Sequence, residues 1–106
     1  MLKIQRKRRS DRNYLIYVIT NLVTNEQYVG ITVKNSTVQK TLHRRIQKHV
    51  QRALAEDKSW ALCESIRQHG SNAFEYGFVE QIRGRKAAYQ RERELIALHN
   101  PILNTF

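Results

Sequence analysis

Glu92 is a carboxylate on the side of a helix that should be apolar. It lies four residues after Ala88 and three before Leu95, inside the apolar stripe of the last helical stretch. A carboxylate there is costly unless it is paired or holds a cation. Arg45 and His49 stand one helical turn apart and point in nearly one direction. Tyr17 and Tyr28 each occupy a β-prone run near the start of the chain. These groups suit phosphodiester hydrolysis, in which a water loses a proton, charge on phosphorus is offset and the leaving oxygen is stabilised. A hard cation on a carboxylate, an arginine and a general base would meet those needs. Tyr17, Tyr28 and His49 are all open as the base. His43, His69 and His99 lack metal-ligand spacing with one another and read as structural or surface residues.

Six elements and a hairpin turn must position these groups. Tyr14–Thr20 and Gln27–Thr32 read as two strands around a polar break with turn-tolerant Asn21, Thr24 and Asn25. An even number of connecting residues places Tyr17 and Tyr28 on one face, and a three- or five-residue loop splits them. Ser36 or Thr37 can cap a helix running to about Asp57, with Leu42, Ile46, Val50 and Leu54 as its core stripe. A second helix starts at Ser59 and is closed by Gly70. Phe74–Ile82 reads as a third strand with Phe74, Tyr76, Phe78 and Glu80 on one face and a bulge or close contact at Gly77. The final helix runs from Arg85 to His99, where Asn100-Pro101 stops it. The order is ββααβα, an α+β fold with a three-stranded antiparallel sheet flanked by helices.

The 106 residues form one domain with a modest core, 41% of them hydrophobic. Nineteen Lys and Arg against nine Asp and Glu give a net charge of +10, which favours a polyanionic partner, nucleic acid first. Residues 1–13 carry six basic residues and one acid and read as a flexible basic arm, leaving 14–106 as the folded domain. No apolar run approaches the roughly 18 residues of a membrane span, so no membrane partner is expected. One cysteine, Cys63, excludes a disulfide framework and a cysteine metal cluster, and a cytoplasmic, reduced setting is expected.

Leu15-Ile16-Tyr17, ten residues, then Tyr28-Val29-Gly30 resembles the signature of the GIY-YIG nucleases. Arg45-Ile-Gln-Lys-His49 is similar to that family's R-x-x-x-H pattern on the first helix, and Arg67–Glu75 to a stretch found in phage homing members. Glu92 occupies the slot of the family glutamate ahead of an N-P-x-x-N-like end at Asn104. The matches fall in the family order over Leu15 to Asn104. Leu15 departs from the first glycine of the motif, and the gap from Tyr28 to Arg45 is longer than in many members.

The resemblance implies an endonuclease hydrolysing DNA, free-standing, with low or structure-based specificity. It implies one Mg²⁺ or Mn²⁺ ion on Glu92 and no small-molecule cofactor. Arg45 would contact the scissile phosphate, Tyr17 would act as general base, and Tyr28 and His49 would assist. Gly30 would let the backbone turn sharply beside the site. Lys34, Arg44, Lys48 and Asn104 are expected as substrate contacts. A homodimer or a separate recognition partner stays open. The alternatives are a nucleic-acid-binding module that does not cleave, or a nuclease subunit that needs a partner for specificity or activity.

Overall fold

The computed structural model describes residues 12–56 and 60–104. The elements run β1 (Asn13–Asn21), β2 (Gln27–Val33), α1 (Val38–Ala55), α2 (Ala61–His69), β3 (Phe74–Arg83) and α3 (Arg85–His99). Single 3-10 turns lie at Ser71–Ala73 and Ile102–Asn104. The expected ββααβα order is therefore the observed one. The sheet order is β2-β1-β3, antiparallel throughout.

Strand β1 is central and covered on both faces. Leu15, Tyr17 and Ile19 pack with Leu42 and Ala53 of α1 and with Leu62, Cys63 and Ile66 of α2. Ile16 turns the other way and packs with Val29 and Leu95 of α3. Two covered faces explain why this strand is apolar without alternation. No helix among the described residues is long and apolar enough to cross a membrane. The basic arm expected over 1–13 lies outside the described residues as far as residue 11. Arg12 and Asn13 are tied to the body: the Gly84 N–H donates to the Arg12 carbonyl at 2.9 Å, and the Lys34 N–H to that of Asn13 at 2.8 Å.

The hairpin resolves the parity question. Thr20–Gln27 is the last cross-strand pair, so six residues, 21–26, connect the strands. The number is even, and Tyr17 and Tyr28 share a face. Asn21 holds this connection. It is fully buried, its Oδ1 accepts from the Val23 and Thr24 N–H groups, and its Nδ2 donates to Ser65 Oγ at 2.9 Å.

Three expectations of side-chain placement are corrected. Thr37 is the cap of α1, its Oγ1 accepting from the Lys40 N–H, but the buried face of that helix is Thr41, Leu42, His49 and Ala53. Leu54 is 68% exposed. Steps of four residues advance about 40° past a full turn each time, so three of them carry Leu54 about 120° from Leu42. On β3, Ile16 pairs with Glu80 but Tyr17 pairs with Phe78, so the ladder shifts at Val79 and not at Gly77. That shift sends Glu80 to the α3 face, where Arg91 Nε donates to its Oε1 at 2.6 Å.

Candidate active site

Tyr17 and Gly30 face each other across the β1–β2 ladder. A Cβ at Gly30 would overlap the Tyr17 ring and hydroxyl. The glycine is therefore there for space, not for the sharp turn expected of it; it lies in extended β2 and is not among the positive-φ residues. With the ring laid over β2, the buried Tyr17 hydroxyl meets α1. It lies 2.8 Å from His49 Nε2 and accepts from Arg45 Nε at 3.2 Å. The Tyr28 ring completes the group, 6.3 Å from the Tyr17 centroid and edge-on to His49 at 5.2 Å. Glu92 comes from α3, half-buried; its charge acts on both tyrosines, and the Arg45 charge acts on it.

Burial dominates the electrostatics. It pushes the Tyr17 phenol well above its ordinary value, with Tyr28 adding and Arg45 opposing. Burial raises Tyr28 as well. His49 falls to about 4, first because it is buried and then because Arg45 and Arg52 lie close. The cluster is thus two neutral phenols and a neutral imidazole beside a fixed cation at neutral pH. Burial raises the Glu92 carboxyl, against the pull of Arg93 and Arg45.

Glu92 makes no ion pair among the described residues. No group of three or more His, Cys, Asp or Glu side chains among those residues could hold a metal unaided. A partly desolvated carboxylate with no ion pair among the described residues fits Mg²⁺, which keeps several waters and binds through one or two carboxylates plus substrate phosphate. The donor set does not fit a metal that needs a full protein cage.

The remaining expected residues divide. Arg44 and Lys48 are exposed on α1, and Lys34 is half-buried just past the end of β2. Asn104 has a different job from the substrate contact expected. Its Oδ1 accepts from the Val29 N–H and its Nδ2 donates to the Val29 carbonyl, both at 2.7 Å. Its amide latches the last turn onto β2 beside Tyr28. Leu15, at the position of the motif's first glycine, is fully buried in the core. Arg52 was missed. It joins Tyr28, Arg45, His49 and Trp60 around a cavity of about 220 Å³, and its guanidinium sits 5.7 Å from the Trp60 ring centroid. Its spacing, three after His49 and seven after Arg45, could have revealed it.

The GIY-YIG catalytic domain family model matches residues 13–106. No curated protein matches significantly. Two solved structures do. One is the catalytic domain of the homing endonuclease I-TevI, 26% identical, with a TM-score of 0.64 over 88% of this chain and 95% of that one. The other is a glutamate-to-alanine mutant of the catalytic domain of the intron endonuclease I-TevI, also 26% identical, with a TM-score of 0.68 over 89% and 91%. The match spans nearly the whole chain and takes in the tyrosines of the hairpin, the α1 pair and the α3 glutamate: the chain belongs to the GIY-YIG nuclease catalytic domains.

Proposed function

We propose that this protein is a divalent-metal-dependent endonuclease that hydrolyses DNA phosphodiester bonds. The observation that supports it best is the bonded trio of Tyr17, Arg45 and His49 facing the lone carboxylate of Glu92. Arg45 holds a non-bridging oxygen of the scissile phosphate and offsets its charge. The Tyr17 hydroxyl takes the proton of the attacking water as it passes its own to His49 Nε2. That direction requires a neutral histidine with its proton on Nδ1, and the low pKa of His49 keeps it neutral. Tyr28 walls the pocket and orients His49. Glu92 would hold Mg²⁺ or Mn²⁺, which supplies a positive charge to offset the leaving oxygen.

Glu92→Ala tests the reading. With Mg²⁺ and duplex, branched or single-stranded DNA, cleavage should fall by about a hundredfold or more, while binding stays within about twofold. A chelator should do the same to the unmodified protein. Cleavage at the original rate by the variant refutes the assignment. Salt-sensitive binding with no cleavage of any substrate by the unmodified protein would favour a binding module.

A further inference from the structure

Beside the reacting cluster lies a second concavity, of about 270 Å³, that the mechanism does not use. Arg12, Tyr14, Thr32, Arg45, Arg85 and Tyr89 line it together with aliphatic β2 residues, and none of its lining residues is acidic. A shallower one continues from it over Arg85, Lys86, Tyr89 and Arg93, again with no acid. Five cations therefore gather around one tyrosine. Such a concentration of one sign stands ready for an anion.

The tyrosine is a prepared platform. Tyr89 is 38% exposed although its ring is held on two sides. Tyr14 meets it edge-on at 6.2 Å, and the Arg85 guanidinium lies 5.7 Å from its centroid. Backbone geometry aligns the trench with the reacting centre. Arg85, Tyr89, Glu92 and Arg93 recur at helical spacing along one side of α3, so Arg85 lies about 10 Å along the axis from the carboxylate. Arg45 borders both the trench and the Tyr17 cluster.

We propose that this trench is the subsite for the nucleotide flanking the scissile phosphate. Its base stacks on Tyr89, and its phosphate is held by Arg85 and Arg12. An occupant that shares Arg45 with the reacting phosphate must be continuous with it or displace it, and a strand leaving Arg45 enters here. Stacking on a tyrosine tolerates any base, so the subsite sets the path of the strand and not its sequence. The inference rests on the nuclease reading above for the identity of the strand.

The test uses a fluorescent DNA oligonucleotide and versions with an abasic site at each position in turn. Binding is measured with the Glu92→Ala protein, and cleavage with the protein carrying Glu92. Tyr89→Ala and Arg85→Gln should each weaken binding by about tenfold, whereas Tyr89→Phe should bind like the parent. One abasic position, next to the cut, should cost the parent the same factor and cost Tyr89→Ala nothing further. If Arg85→Gln and Tyr89→Ala bind like the parent, or every abasic position affects parent and variant alike, the subsite is not there. Tyr89 touches Tyr14, so thermal melts accompany its variants; Arg85→Gln leaves the ring pair intact and decides the matter if Tyr89→Ala unfolds. Absence of cleavage in the protein carrying Glu92 would strike the nuclease reading alone, because the binding measurements need no turnover.

Discussion

The Tyr17 hydroxyl and His49 Nε2 are 2.8 Å apart in a buried contact between residues 32 positions distant in the chain. A phenol and an imidazole so placed are both neutral across the physiological range, and each therefore carries a pH signature.

His49 should make the fold acid-sensitive. Its folded pKa, about 4, lies below its ordinary value of 6.5, so the unfolded chain binds a proton between these limits when the native state does not. The contribution is fully present above pH 6.5 and is lost as pH falls to about 4, by at most about 3 kcal/mol. Melting temperatures of the parent and His49→Gln, compared from pH 7.5 to 4, should differ in slope only within that window. Parallel curves would remove the assigned burial of a neutral imidazole.

Tyr17→Phe deletes a hydroxyl and keeps the ring that packs over Gly30. Cleavage should fall by about a hundredfold or more, the range of a lost proton-transfer group, while DNA binding stays near the parent value. Single-turnover cleavage alongside a filter-binding titration checks this. A tenfold loss of affinity with unchanged turnover would make Tyr17 a binding residue instead.

Two β-strand glycines make a matched pair. Gly30→Ala puts a Cβ into the Tyr17 ring, and overpacking of this kind costs about 1–3 kcal/mol. It should also displace the hydroxyl and depress cleavage at least tenfold. Gly77→Ala meets only Val18 Cγ1 at 3.9 Å and should change neither. Urea melts and cleavage rates of the two variants give the comparison.

Asn104→Ala leaves the Val29 N–H and carbonyl without their 2.7 Å partners. It should destabilise by about 1–3 kcal/mol and leave the affinity of Glu92→Ala protein for DNA unchanged. A phosphate ligand would behave in the reverse way, losing affinity with no loss of melting temperature.

Asn21→Ala should cost a similar amount, about 1–3 kcal/mol, because Ser65 Oγ and the turn N–H groups lose a fully buried partner. It lies away from the Tyr17 cluster, so cleavage per folded molecule should persist. A denaturant titration with an activity assay at low temperature separates the two effects.

Period and punctuation alone located the elements of this chain. The last helix ends at His99 because the Asn100-Pro101 pair cannot continue it, and Asn100 adopts the left-handed cap conformation there. Glu92 could be singled out because a carboxylate among Ala88, Leu95 and Ile96 breaks a local rule. What spacing could not supply was anything that depends on a neighbour far along the chain. The parity of the hairpin hung on which residues pair, Thr20 with Gln27, and Asn21 settles that by reaching Ser65, 44 residues away. The phase of α1 was misread because an apolar count cannot see that α2 packs over Ala53, where Arg67 donates to the carbonyl at 2.9 Å. Gly30 looked like a turn residue because nothing local reveals a ring crossing from the next strand. Residue types and intervals are written in one dimension. Which side chains share a volume, and which of them lose water there, is decided only when the sheet and helices close around them.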